Sequence, residues 1–146
     1  MCFHTSQTKK VKQLEQRYNV TLADEGSRAF FDLPQYHLNG FSHPKLLIIP
    51  QEAPDVITSG IWGIVPKHQA ASKLQEYYQQ AVKYGGGLNA RSEKLFNHFI
   101  YKDSALSQRC IIPVSGFFEP HETKGQTYPY HFKHFQDEVL SLAGLY

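Results

Sequence analysis

The chain has 146 residues, 41% of them hydrophobic and 19% charged, with a net charge of +2; that is enough for one domain with its own core and too short for two comfortable ones. No apolar run approaches the length of a membrane span and the N-terminus lacks a signal peptide's apolar core, so no membrane partner and a cytosolic or nuclear residence are expected. The weak positive charge does not by itself argue for nucleic acid, and two cysteines, Cys2 and Cys110, make no disulfide framework.

Met1-Cys2-Phe3-His4 precedes a Ser/Thr-rich start signal, Thr5 to Thr8. Val11, Leu14 and Tyr18 then fall at helical spacing and predict a helix over about residues 8–18. Lys9, Lys10, Lys12 and Arg17 crowd this stretch and read as a solvated helix face. Residues 19–44 read as irregular, with turn formers at Asp24-Glu25-Gly26, Pro34, Asn39-Gly40 and Pro44. Lys45–Pro50 (KLLIIP) predicts a short apolar strand and Thr58–Pro66 (TSGIWGIVP) a second, with close-packing glycines.

Ala70–Tyr84 is the clearest helix, with Ala71, Leu74, Tyr78, Ala81 and Val82 as its apolar stripe and Gly85–Gly87 as its end. A shorter helix is expected from Ser92-Glu93 to about Tyr101. Arg109–Pro113, Gly116–Pro120, Tyr128–Phe135 and Val139–Tyr146 predict strands, with a turn at Lys124-Gly125 joining the second and third. The pattern is that of an α+β domain whose last half is a strand meander. Leu140–Tyr146 (LSLAGLY) is too apolar for a free tail. It is expected either to pair centrally or to have lost a continuation, and an unpaired edge there would template a homodimer.

Three places carry reactive or ligand-binding chemistry. Asn89-Ala90-Arg91 sets an amide and a guanidinium two residues apart, which in an extended segment share a face. They could address one ligand, the guanidinium as a fork suited to phosphate; the plain alternative is a common tripeptide without function. Glu119 lies between Phe117, Phe118 and Pro120. A carboxyl in apolar surroundings is one way to prepare a general acid–base, and a strand-end residue facing water is the alternative.

Cys2 is the third. Removal of Met1 would expose a free α-amine beside the thiol, with ordinary pKa values of about 8 and about 8.5, so both are partly nucleophilic near neutrality. Such a 1,2-aminothiol captures an aldehyde twice, first as an imine and then, through the thiolate, as a five-membered thiazolidine. A buried structural cysteine is the alternative. Aromatic residues make up 14% of the chain, which serves a core or a base-stacking surface equally well. No metal or other cofactor is expected: His131 and His134, three apart on a strand, would point to opposite faces, His98 stands alone, and no Cys-x-x-Cys accompanies Cys110.

Together, Met1-Cys2, Trp62-Gly63-Ile64-Val65-Pro66, Asn89-Ala90-Arg91-Ser92-Glu93 and Arg109-Cys110-Ile111-Ile112-Pro113 with Gly116-Phe117-Phe118-Glu119 resemble, in order and approximate spacing, the SOS-response-associated peptidase (SRAP) domain family. The resemblance runs over nearly the whole chain. It implies a single SRAP-like domain with a mainly antiparallel, barrel-like β core and peripheral helices. It also implies the family's activity, covalent trapping of abasic sites in single-stranded DNA, whose open-form sugar supplies the aldehyde. Under it Cys2 is the crosslinking residue, Asn89 holds the sugar or the reacting terminus, Arg91 binds an adjacent phosphate, and Glu119 shuttles protons. Trp62 and Pro66 would help build the wall of the DNA cleft.

The departures from the family pattern shape further expectations. His4 stands where an arginine usually contacts phosphate, and so would be a weaker, pH-dependent DNA contact. Tyr36-His37-Leu38-Asn39-Gly40 replaces a Tyr-Asn-x-x-Pro motif, and Lys67-His68-Gln69 follow where tryptophans are common. The family's proton-transferring histidine falls beyond residue 146, so the chain is expected to match the first two thirds of the domain, truncated at the C-terminus, and to crosslink slowly. Residence would be cytoplasmic and nucleoid-associated in a bacterium, nuclear in a eukaryote. Two other functions stay open: a cysteine-type (auto)peptidase with Cys2 as nucleophile and Asn89 at an oxyanion, or a DNA-binding module without chemistry.

Overall fold

The computed structural model describes residues 3–66 and 68–146. Met1, Cys2 and Lys67 lie outside the described residues. In chain order the elements are β1 (His4–Gln7), α1 (Val11–Tyr18), β2 (Thr21–Leu22), α2 (Arg28–Phe31), β3 (Gln35–Asn39), β4 (Lys45–Pro50), β5 (Val56–Ile61), α3 (Leu74–Ala81), α4 (Lys102–Ser107), β6 (Arg109–Val114), β7 (Gly116–Thr123), β8 (Gln126–Phe132) and β9 (Leu140–Leu145). They form two sheets, β3-β1-β7-β8 and β2-β5-β4-β6-β9. Every pairing is antiparallel except the short β2–β5 contact. The fold is α+β with mainly antiparallel strands, and both sheets are open.

Helix α1 forms where the sequence signals it. The Val11 amide, one of the helix's orphan donors, gives its hydrogen to Asp32 Oδ1 at 2.8 Å, and Gln13 Oε1 takes the Lys10 amide at 3.0 Å. Asn19, at φ 53°, ends the helix in the left-handed conformation that asparagine tolerates. Val11 and Leu14 are fully buried and pack with Val20, Leu22, Phe31, Leu47, Ile49 and Ile57. Each such side chain contributes about 1.5–3 kcal/mol through apolar burial. Strand β4 sits between β5 and β6, and Leu46, Leu47, Ile48 and Ile49 are all buried, so its unbroken apolar run is that of a strand covered on both faces.

The two sheets meet where β6 passes into β7. The Ser115 amide donates to the Ser6 carbonyl at 2.7 Å, and the Gln7 side chain donates to the Pro113 carbonyl at 2.9 Å. Beyond this junction β1 covers only Gly116–Phe118 of β7, so Glu119–Thr123 continue with β8 as a two-stranded ribbon. Lys124 and Gly125, at φ 51° and 75°, close that ribbon in the doubly left-handed turn that suits a two-residue hairpin. Gly116 is a close approach: the ring of His131 lies over it, and an added Cβ would sit 2.7 Å from the Phe132 carbonyl oxygen.

Several expectations need correction; the strand meander expected for the last half is divided, with β6 and β9 in one sheet and β7 and β8 in the other. Residues 19–44 are not irregular throughout; they contain β2, α2 and β3. The strand expected over Thr58–Pro66 starts at Val56 and stops at Ile61, because Gly63 turns out at φ 133° and the Ile64 amide bonds instead to Gly87. The helix expected over residues 92–101 is a 3₁₀ turn, Ser92–Lys94, followed by turns and then α4. There the His98 ring takes the Ile100 amide, and Phe96 and Phe99 are exposed, leaving no apolar stripe for a helix to bury. Strand β9 pairs with β6 and forms an edge, not a centre, of its sheet. Among the described residues no helix is long and apolar enough to cross a membrane.

Candidate functional site

The site is built from three segments that the fold brings to the start of β1. The first is β1 with its neighbour β7. His4 pairs with Phe118, so Phe3, the residue before the strand, lies at the end of the pairing where Glu119 follows. Strand alternation places Glu119 on one face with Phe117 and His121, opposite Tyr130 of β8. Phe118 and Pro120 therefore point away from it, and the expected apolar wrapping of Glu119 by all three neighbours is not what the strand provides. Glu119 is half-buried and has a contact of its own.

The second segment runs through Gly40. Its amide donates to the Phe3 carbonyl at 2.8 Å. A Cβ there would come within 3.1 Å of that oxygen and 3.2 Å of the Trp62 ring. Gly40 thus packs the indole directly against the N-terminal backbone. Larger residues would separate the two.

The third segment is the loop after α3. Gly85, Gly86 and Gly87 adopt φ of 85°, 65° and 64°, three consecutive left-handed residues that reverse the chain and deliver Asn89. The Trp62 indole N–H donates to the Leu88 carbonyl at 3.0 Å, and the Tyr101 hydroxyl to the Asn89 carbonyl at 3.1 Å. Arg91 has extended backbone (φ −80°, ψ 131°) and its carbonyl accepts the first bond of the following 3₁₀ turn. The Arg91 side chain is exposed, and among the described residues it makes no ion pair.

An unbroken run of contacts therefore joins β7, the beginning of β1, Gly40, Trp62 and Leu88-Asn89. Of the residues singled out from sequence, His4, Trp62, Asn89, Arg91 and Glu119 belong to this run or adjoin it. Cys2 lies outside the described residues, directly before Phe3 in the chain. The Pro66 carbonyl accepts from the Gln69 amide at 2.9 Å in a local turn. Trp62 supports the loop through its indole N–H.

Sequence reasoning missed several neighbours. His37 of β3 shares a 3.0 Å hydrogen bond with His4, Nε2 to Nδ1, and their rings stack. Phe118 carries His37 on its edge and stacks on His131, which in turn reaches Ser6 Oγ at 3.2 Å. His43 Nδ1–H donates to the Trp62 carbonyl at 2.7 Å while its ring lies on Tyr78. No sequence pattern flags side chains whose partners are distant backbone carbonyls. His131 is on β8, but His134 follows its end, so the two are not related by strand alternation as expected.

Two concavities lie elsewhere. One of about 320 Å³ is lined by Tyr18, Ile49, Arg109 and Cys110, and one of about 220 Å³ by Gln7, Phe31, Leu38 and Leu46. Both are apolar gaps flanking the sheets and include none of the candidate groups, so the chemistry of side chains, not the size of a cavity, locates the site. Cys110 is buried in the first, where burial, with a smaller contribution from the Glu52 charge, pushes its thiol up to about 11. Cys110 is thereby unreactive at neutral pH.

A family model described as SOS response associated peptidase (SRAP) matches residues 1–146. The abasic site processing protein YoqW of Bacillus subtilis (strain 168) is 27% identical over 126 residues, covering 80% of this chain and 52% of that protein. Its namesake from Bacillus phage SPbeta matches to the same extent. A crystal structure of a protein from Bacteroides thetaiotaomicron superposes with a TM-score of 0.81 at 27% identity, covering 99% of this chain and 59% of that one. A protein from Bordetella bronchiseptica shares the fold, with a TM-score of 0.74 at 22% identity over 99% of this chain and 63% of that one. The chain spans about half the length of the curated relatives it matches. With the family model matched from the first residue to the last, the chain belongs to the SOS response associated peptidase (SRAP) family.

Proposed function

We propose that this protein recognises abasic sites in single-stranded DNA and traps them covalently through Cys2. The observation that carries this reading is the run of contacts that seats the Asn89–Arg91 loop, through Trp62 and Gly40, against Phe3, the neighbour of Cys2. Membership of the family and similarity to abasic site processing proteins support it. After loss of Met1, the Cys2 amine adds to the C1′ aldehyde of the open sugar and the carbinolamine loses water to give an imine. The thiolate then adds to the imine carbon, and the nitrogen takes up a proton to close the thiazolidine; the net change is one water released. Arg91 offers an exposed cation for a neighbouring phosphate, Asn89 a neutral amide for the sugar, and Glu119 a carboxyl for the proton transfers.

The test is incubation of the full chain with a single-stranded oligonucleotide bearing one abasic site, followed by a denaturing gel. A heat-stable shifted band is expected from the wild type. Cys2→Ser keeps the amine and loses ring closure, so its adduct should survive only after borohydride reduction. An equally stable band from Cys2→Ser would reject the thiazolidine, and its absence from the wild type would reject trapping altogether. Arg91→Ala should weaken binding and flatten its salt dependence by about one counterion. We also infer that the free edge of β9 can pair with a second copy, since an apolar edge strand offers unpaired backbone groups. Light scattering reads this directly, and a monodisperse monomer at high concentration would exclude it.

A further inference from the structure

Three successive carbonyls of the loop that carries Asn89 are each tied to a donor outside the loop, two from Trp62–Ile64 and one from Tyr101. The Gly87 carbonyl accepts from the Ile64 amide at 3.1 Å, that of Leu88 from Trp62 Nε1 at 3.0 Å, and that of Asn89 from the Tyr101 hydroxyl at 3.1 Å. Glycines at left-handed φ have no side chain to hold them there, so the loop is fixed by these donors together with its local bonds, Gly86 N–H to the Ala81 carbonyl at 2.8 Å and Leu88 N–H to that of Gly85 at 3.2 Å. Two of the three donors are side chains, and both are braced. The Trp62 carbonyl is held by His43 Nδ1, the His43 ring lies 3.9 Å from that of Tyr78, and the Tyr78 hydroxyl donates to the Gly63 carbonyl at 3.0 Å. The Tyr101 ring packs on His98 at 4.8 Å. Burial pushes the Tyr101 phenol above its ordinary range, so it remains a donor throughout neutral pH.

We propose that Tyr101 and Trp62 are positioning residues for Asn89, fixing the backbone from which its carboxamide projects. The proposal rests on the function proposed above and adds to it the two groups on which the reactive geometry depends. Neither touches the reacting atoms in this role. Their effect is on orientation, where a displacement of about 1 Å can cost on the order of 100-fold in rate. Loss of one carbonyl bond, with the other two in place, should cost roughly tenfold.

The experiment uses the full chain and measures single-turnover adduct formation against oligonucleotide concentration. Tyr101→Phe removes one oxygen and keeps the ring. It should lower the limiting rate about tenfold and leave the half-saturating concentration and its salt dependence unchanged. In an Asn89→Ala background, Tyr101→Phe should have no further effect, because it acts only through Asn89. Trp62→Phe should follow the same pattern; if that variant fails to fold, Tyr101→Phe decides alone. A tenfold loss that persists in the Asn89→Ala background, or a Tyr101→Phe rate equal to the wild type's, would overturn the proposal. Hydrogen exchange separates its failure from failure of the functional reading. Amides of residues 88–91 should exchange faster in Tyr101→Phe, with β4 unchanged, whether or not the wild type forms an adduct. Unchanged exchange in that loop sinks the positioning role on its own.

Discussion

At the scale of single residues, Gly85 only bends the chain after α3, whereas Gly87 also fits a close approach. Gly85 and Gly87 both have left-handed φ, but a Cβ on Gly85 would meet nothing within 4 Å, whereas one on Gly87 would come within 2.6 Å of the Ile64 carbonyl oxygen. Both alanine variants incur left-handed strain of about 1 kcal/mol. Gly87→Ala must in addition push a backbone oxygen away. Its denaturation midpoint should therefore fall well below that of Gly85→Ala, and its adduct formation should slow further. Equal midpoints would mean that the loop is not held against Ile64. The cysteines separate as sharply. With Cys110 pushed up to about 11, iodoacetamide near neutral pH should label Cys2 alone in the folded protein, and label both once it is unfolded. Peptide mapping of the labelled chain reads the outcome.

Among elements, α1, whose Val11 and Leu14 are fully buried, carries the most direct stability prediction. Leu14→Ala should cost about 2–5 kcal/mol, read as a shift in urea midpoint. The same helix carries a pH dependence. Two guanidinium bonds from Arg28 and the Leu22 amide hold the Glu15 carboxyl below its ordinary range. A carboxyl lowered in the folded state stabilises fully above its unfolded pKa and loses that contribution as pH falls through the lower, folded value. The urea midpoint of the wild type should therefore drop more steeply below the ordinary carboxylate range than that of Glu15→Gln. Elements also show what sequence discloses. Strands β4 and β6 to β9 were legible as strands because apolar runs and the Lys124-Gly125 turn mark them, but their division between two sheets, β6 with β9 and β7 with β8, was not. Strand β3 was not, because Tyr36 and His37 are exposed and only its pairing with β1 makes it a strand. At the candidate site, residue type singled out Asn89, Arg91 and Glu119; it did not single out Tyr101, since a hydroxyl on a backbone carbonyl twelve positions away leaves no pattern.

Taken whole, the molecule closes on itself at one seam. Strand β1, at the beginning of the chain, lies between β3 and β7, with His4 opposite Phe118 and Ser6 opposite Gly116. That pairing joins residues more than a hundred positions apart in sequence. The consequence is temporal. A ribosome delivers β1 early, but the partner that fixes one of its edges emerges only after more than a hundred further residues, at roughly 5–20 residues per second. Closing so long a loop comes late, because its entropy must be met before the contact rewards it. The strand that carries Glu119 can join the start of β1 only in that final docking. In refolding, pulsed hydrogen exchange should find the amides of β1 protected after those of β4 and β5, and a nascent chain arrested before Gly116 should form no stable adduct with abasic DNA.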